Sequence, residues 1–287
     1  MAASAPGAAL ADVVINSTNF PDNAFIIFVR EHDTNSDGIL SPEEIEAAKS
    51  MIVKPDFGAK NLKGIEYFTY LETLVCSNLE LTSLDLSGNK KLTSLHCANN
   101  LLTSLDLSEN TELKTLHCEN NNALTSLNVS RNTKLETLNC TNNPLTTLDV
   151  SKNTHLSSLS CQGNQLTSLN VANTRLDSLS CQGNRLTFLD LQGLPLNGSV
   201  TVGGQTRDVT VSAIRGAYVV DLGAFLSPDR FVNVKNLAGQ ASDGTPLNPQ
   251  SFLNGKATFK TKPVTVTYWY ATGNTQASSM DVTLIES

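Results

Sequence analysis

The six cysteines of this chain fall at positions 76, 97, 118, 140, 161 and 181, and nothing else in the sequence constrains its fold as strongly. The steps between them are 21, 21, 22, 21 and 20 residues. Each cysteine holds the same place in a recurring pattern, L-x-x-L-x-C-x-x-N-x-L-T-x-L-x-L/V-S-x-N, which runs from about Leu71 to Leu191. A period of this length implies a solenoid, because one repeat cannot bury its own leucines and stacking has to create the core.

Each position in the repeat has a physical role. The second leucine and the cysteine are two residues apart, so they share one face of a short strand. Leu95/Cys97, Leu116/Cys118, Leu138/Cys140, Leu159/Cys161 and Leu179/Cys181 are therefore expected inside, while His96, His117, Asn139, Ser160 and Ser180 point outward. Asn100, Asn121, Asn143, Asn164 and Asn184 follow three residues after a cysteine, where a buried carboxamide can pair backbone groups of the turns. The half-repeat T-S-L-D-L-S-x-N builds a second ladder from Asn89, Asn110, Asn132 and Asn153. Leu79, at a ladder position, and the shortened Val171-Ala172-Asn173 turn lie towards the ends, where repeats become atypical. The period lies within the leucine-rich-repeat range of about 20 to 29 residues, so the expected fold is a β-rich leucine-rich-repeat solenoid over residues 71–195.

An even cysteine count suggests bridges in a secreted chain. Stacked strands hold equivalent side chains parallel and about 4.8 Å apart, whereas a disulfide needs converging Cβ atoms nearer 3.8 Å. The cysteines are therefore expected as reduced, buried core residues. An in-register column does not converge as zinc ligands must, and a buried thiol is a poor nucleophile.

Residues 33–44 read Asp-Thr-Asn-Ser-Asp-Gly-Ile-Leu-Ser-Pro-Glu-Glu, which fits the twelve-residue EF-hand calcium loop. Asp33, Asn35 and Asp37 fall at positions 1, 3 and 5, the Ile39 carbonyl at 7, Ser41 at 9 and Glu44 at 12. Gly38 supplies the sharp turn, and Leu40 is the apolar residue expected beneath the loop. Phe25, Phe28 and Val29 recur at helical spacing within an entering helix over 21–30, and an exiting helix is expected over 42–49. Residues 13–70 thus read as a helical cap in which calcium joins two helices. A solitary loop of this type binds weakly, with constants of about 10⁻⁴–10⁻³ M in extracellular modules. Residues 1–12, small and apolar without a basic segment, read as a flexible leader or cloning remnant.

Beyond Leu196 strand signals replace the repeat. Residues 199–202 and 208–211 flank Gly203-Gly204 like a hairpin, Val264 to Tyr270 alternates, and Met280, Val282 and Leu284 alternate again. Residues 196–287 are therefore expected as a small β-sandwich, with 237–253 as a long loop. The aromatic run Tyr268-Trp269-Tyr270 is expected mainly as core and edge cover.

The cap and the repeat together resemble the internalin-type bacterial leucine-rich-repeat proteins. Asn19-Phe20-Pro21-Asp22-Asn23-Ala24-Phe25 and Leu62-Lys63-Gly64-Ile65-Glu66-Tyr67-Phe68 carry the likeness in the cap. The repeat is similar to the cysteine-ladder, internalin J-like subtype, and the likeness spans about residues 14–195. It implies a secreted or bacterial cell-surface protein with an immunoglobulin-like module behind the repeats, acting in adhesion to a host or bacterial surface protein or glycan. The EF-hand loop departs from the plain internalin cap.

The charge of −7 argues against a nucleic-acid partner and an anionic membrane surface, both of which demand a basic face. No run reaches the roughly 18 apolar residues of a membrane span. No nucleophile elbow, zinc-protease helix or phosphate-cradling loop is present, and Asp85, Asp106, Asp149 and Asp190 read as a solvated column, so no enzyme is expected. The outward strand face, with His96, His117 and Asn139 as its candidate ligand-binding residues, lacks the Trp, Tyr and Arg of tight protein interfaces. A monomeric glycan or protein binder is the expected function; a rigid spacer that displays other modules is the alternative.

Overall fold

The computed structural model describes residues 10–214, 217–274 and 279–286. The leader expected at the N-terminus lies, as far as residue 9, outside them. The chain divides into two compact units, Met1–Leu135 and Glu136–Ser287.

The first unit opens with a cap. Strand β1 (Val13–Val14) pairs antiparallel with β2 (Ile39–Leu40), a part of the acidic loop shortly before its exiting helix. Helix α1 (Asn23–Arg30) buries Phe25, Phe28 and Val29, the residues whose spacing marks it. Asp22 caps it, one carboxylate oxygen accepting from Ala24 N and Phe25 N. The other oxygen accepts from Lys60 N and Asn61 N, which ties the helix start to a segment 38 residues away. Helix α2 (Pro42–Ala47) has Pro at its start and a reciprocal capping box between Ser41 and Glu44. Gly64 (φ 103°) admits no side chain, since a Cβ there would stand 2.2 Å from the Phe20 ring.

The solenoid follows in the same unit as parallel strands β3 (Ser50–Ile52), β4 (Thr73–Val75), β5 (Ser94–His96) and β6 (Thr115–His117). β3 pairs with β4, Met51 opposite Leu74, so the stack begins about twenty residues before the first recognisable repeat. Met51 and Val53 hold the inward positions that leucine and cysteine take later, both 2% exposed. Behind β4, β5 and β6 lie Leu74, Leu95 and Leu116 with Cys76, Cys97 and Cys118, all fully buried.

The second unit continues the same turn of about 21 residues in β7 (Thr137–Asn139), β8 (Ser158–Ser160), β9 (Ser178–Ser180) and β10 (Val200–Thr201), again parallel and in register. The expected hairpin across Gly203-Gly204 does not form. β10 is a solenoid rung paired with β9, and β11 (Gln205–Val209) pairs in parallel with the C-terminal strand β19 (Ser279–Glu286). The glycines form the left-handed corner of the turn instead: Gly204 (φ 65°) stands where Gly163 and Gly183 stand in earlier turns.

The remaining strands are β12 (Val211–Ile214), β13 (Ala217–Asp221), β14 (Val234–Gln240), β15 (Pro246–Leu247), β16 (Ser251–Leu253), β17 (Lys256–Phe259) and β18 (Thr265–Ala271). They form a five-stranded sheet, β11-β19-β18-β14-β15, and a four-stranded one, β12-β13-β17-β16. The sheets press together at Gly239 of β14, where a Cβ would meet the Phe259 ring of β17 at 2.9 Å. The long loop expected over 237–253 is thus replaced by the end of β14 together with β15 and β16. A register shift between Lys235 and Ala238, with Asn236 at φ 52°, breaks the period-two pattern that would have revealed β14. Tyr268 and Tyr270 are buried as expected, while Trp269 faces outward and is 51% exposed.

Candidate functional site

The two asparagine ladders fix the rungs that carry the candidate site. Asn100 Nδ2 donates to Cys76 O (2.9 Å) and Cys97 O (3.0 Å), and its Oδ1 accepts from Leu79 N (3.1 Å) and Leu81 N (3.0 Å). Asn164 and Asn184 repeat this in the second unit, each bonding two cysteine carbonyls and one leucine N–H. Gln205 finishes the ladder, donating to Cys181 O and Val202 O and accepting from Leu186 N. In the second ladder Asn110 donates to Leu86 O and Asn89 O, but its Oδ1 is buried with no partner, as is that of Asn89. Where that ladder loses its asparagine, the Thr174 hydroxyl donates to Val171 O at 2.7 Å and closes the turn.

All six cysteines are buried and none is bridged. Burial pushes the Cys97 and Cys181 thiols up to about 12 and raises those of Cys76 and Cys161 well above the ordinary value, so none is a ready nucleophile. The aspartate column stabilises its own turns. Asp85, Asp106 and Asp149 each accept from the backbone N–H two residues ahead, as does Asp190 from Gln192 N.

With the inner face committed to the core, the outer residues of every strand from β4 to β9 remain partly accessible. In the first unit β5 and β6 pair with His96 directly opposite His117, ring centroids 4.6 Å apart and planes at 42°. Ser94 Oγ lies 3.2 Å from His96 Nε2. Burial, followed by the charge of His117, lowers the His96 pKa against a smaller opposing effect of Glu119. Glu119, two residues beyond His117, carries a buried Oε2 with no hydrogen-bond partner. The alternation that singles out His117 extends to Glu119, but the cysteine between them masks it in the sequence. In the second unit Asn139 Oδ1 accepts from Thr141 N, and a polar chain runs from Thr201 Oγ1 through Ser180 Oγ to Gln162 Oε1.

The acidic loop of the cap is organised around its own backbone. Asp33 accepts from Asp37 N and Gly38 N, Asn35 Oδ1 from Asp37 N, and Asp37 Oδ1 from Ile39 N. Glu44 reaches back across the loop: Oε1 accepts from Thr34 N (2.6 Å) and Thr34 Oγ1 (2.8 Å), and Oε2 from Ser41 N and Oγ. These bonds, that of Ser41 N foremost, hold the Glu44 pKa down at about 2. The Asp33, Asn35, Asp37, Ser41 and Glu44 side chains and the Ile39 carbonyl are all oxygen donors, the hard set that calcium takes, and Gly38 (φ 81°) makes the turn such a loop requires. Among the described residues no three His, Cys, Asp or Glu side chains are already gathered round one point as a metal cage. Nor is any described helix long and apolar enough to cross a membrane.

No protein-family model matches the chain, and no curated protein does. Solved structures do. Internalin C2 of Listeria monocytogenes is 21% identical over 69% of this chain and 89% of its own, with a TM-score of 0.56. A secreted internalin-like protein of the same organism is 14% identical over 96% and 98%, with a TM-score of 0.52. The functional domain of InlJ from Listeria monocytogenes, which includes a cysteine ladder, is 19% identical over 97% and 99%, with a TM-score of 0.35. At these identities the likeness is one of fold, and it rests on the first two superpositions. The chain shares the internalin-type leucine-rich-repeat fold, a β-solenoid with turns of about 21 residues.

Proposed function

We propose that this chain is a secreted or bacterial cell-surface binding module whose open strand face engages a surface protein or a glycan. The observation that carries the reading is the division of each rung: the inner leucine and cysteine are sealed into the core, while both flanking residues stay accessible in register. A surface of serine, threonine, asparagine and histidine offers hydrogen-bond donors and acceptors at a regular spacing of about 4.8 Å, which suits repeated polar contacts better than one apolar anchor. The cap takes calcium as a structural ion through Asp33, Asn35, Asp37, Ile39, Ser41 and Glu44, and the C-terminal sheets serve as an immunoglobulin-like module behind the solenoid. When bound, calcium supplies positive charge between the start and end of the loop; the chain's own part is to present oxygen atoms from both.

The experiment is a screen of the purified chain against arrays of host surface proteins and glycans, with calcium and with chelator. The His96→Ala/His117→Ala variant is carried beside it. Reduced array binding in that variant supports a site on the strand face. Undiminished binding assigns the contact to another surface.

A further inference from the structure

We propose a saccharide-binding cleft in the second unit, apart from the strand face, which takes one neutral hexose residue against Arg230, Asn233, Asp190 and Asp229. The cleft lies where the last solenoid turns meet the five-stranded sheet, and its volume is about 260 Å³. Asp190, Gln192, Asp229, Arg230, Asn233 and Tyr270 line it. Hydrogen bonds tie its two walls together. Leu191 N donates to Thr272 O at 2.9 Å, Tyr268 Oη to Thr187 O at 2.9 Å, and Asn274 Nδ2 to Leu191 O at 3.2 Å. The shape of the cleft is therefore set by the fold itself, as is usual for sites that bind small molecules.

Arg230 is held in this cleft from two sides. Its guanidinium stacks on the Phe188 ring, 3.9 Å from the centroid, and Nη1 lies 3.5 Å from Tyr270 Oη. Asn233 Nδ2 donates to the same hydroxyl at 3.3 Å. Pairing of Val234 with Tyr270 sets the 3₁₀ turn Pro228–Asn233 beside β18, so one buried phenol gathers both planar side chains. Stacking and one long hydrogen bond leave most of the five guanidinium donors for a ligand. Among the described residues Arg230 forms no ion pair. A side chain already held in place loses less freedom when it binds.

The mixed lining selects the ligand. Arg230 and Asn233 donate, while Asp190 and Asp229 accept; Asp190 uses Oδ1 for Gln192 N, leaving Oδ2. A bare anion would meet two carboxylates here, and a cation would meet the guanidinium. A sugar hydroxyl both donates and accepts, so either kind of group satisfies it. Neighbouring hydroxyls on a pyranose ring also match the fork of a planar side chain. The cleft is smaller than the roughly 300–1,000 Å³ of sites for drug-sized ligands, which suits a single ring.

Titration of the full chain with glucose, galactose, mannose and N-acetylglucosamine, followed by the NMR signals of the Arg230 and Asn233 side chains, tests the assignment. Sialic acid and inorganic sulfate run beside them. At least one neutral sugar should bind with a constant on the order of 1 mM, as one ring at ordinary ligand efficiency does, and shift both side chains. Arg230→Lys keeps the charge and loses the fork, and should weaken binding about tenfold. Asp229→Ala should weaken it severalfold, and Trp269→Ala, on the outward face of β18, should leave it unchanged. Circular dichroism and melting temperature check that each variant is folded. No binding of any of the four sugars at tens of millimolar, or binding of sialic acid or sulfate alone, overturns the proposal. So does loss of binding in Trp269→Ala but not in Arg230→Lys, which would put the sugar on the sheet face. The His96→Ala/His117→Ala variant should bind the sugar as the parent does, so the cleft and the strand face stand or fall separately; lost sugar binding there also overturns the proposal.

Discussion

Replacing Asn100 or Asn110 by alanine removes the same side chain from neighbouring places in one unit, yet the two ladders predict different costs. Asn100 satisfies Leu79 N, Leu81 N, Cys76 O and Cys97 O. Cys97 O keeps a second donor in Asn121, but the other three groups have no further partner among the described residues. Each buried backbone group left unpaired costs about 1–3 kcal/mol, so Asn100→Ala is expected to destabilise by about 3 kcal/mol or more. Asn110 donates to Leu86 O and Asn89 O, and these retain Asn89 N and Leu92 N as donors. The variant also removes an orphaned buried oxygen, which offsets part of the loss, leaving about 1 kcal/mol. The cavity contribution is similar in both and cancels in the comparison. The difference of about 2 kcal/mol corresponds to roughly a 30-fold ratio of unfolding constants at about 1.4 kcal/mol per tenfold. Urea midpoints of the two variants, with amide exchange followed at Leu81, measure it. Equal midpoints, or a larger loss in Asn110→Ala, would refute the assignment of roles to the ladders.

Other consequences can be checked separately. Glu44 titrates at about 2 in the folded chain against an ordinary 4.5, so its stabilising contribution is fully present above about pH 4.5 and is lost as pH falls towards 2. Urea midpoints between pH 7 and 2.5 should fall less steeply in Glu44→Gln than in the parent. Excess calcium should raise the melting temperature relative to chelator, and Glu44→Gln should erase the rise; an unchanged temperature in the parent counts against a structural ion. The six thiols should resist a water-soluble thiol reagent in the native chain and react together in urea, as the burial of all six requires, and as the raised pKa values of Cys76, Cys97, Cys161 and Cys181 reinforce. Tyr268→Ala removes a buried ring and its hydrogen bond to Thr187 O, and should cost about 3–5 kcal/mol in thermal unfolding, whereas Trp269→Ala, on the exposed face, should change it by about 1 kcal/mol or less.

The solenoid was legible because its period is written in residues with one physical job each: leucine and cysteine inward, asparagine on the turn. Where other residues do that job, the signal disappears. Met51 and Val53 take the inward positions of β3, Val202 takes the cysteine's place behind β10, and Gln205 serves as the last ladder amide, so the array outruns its recognisable pattern at both ends. β14 was hidden because a bulge resets its alternation, and Glu119 because a buried cysteine separates it from His117. The two helices beside the acidic loop and its turn at Gly38 were legible, since helical spacing, capping residues and a glycine turn are all local in sequence. That Val13–Val14 would pair with Ile39–Leu40 of that loop is a tertiary fact no local pattern carries.

The central claim is that the strand face binds, and the most direct measurement places arginine on it. Thr73 and Thr115 are outward residues of β4 and β6, so Thr73→Arg and Thr115→Arg add bulk and charge without entering the core. Array binding by the unaltered chain that is lost in the double variant, with circular dichroism and melting temperature preserved, is the predicted result. No array binding by the unaltered chain, or equal binding by both, would contradict the claim and favour a spacer.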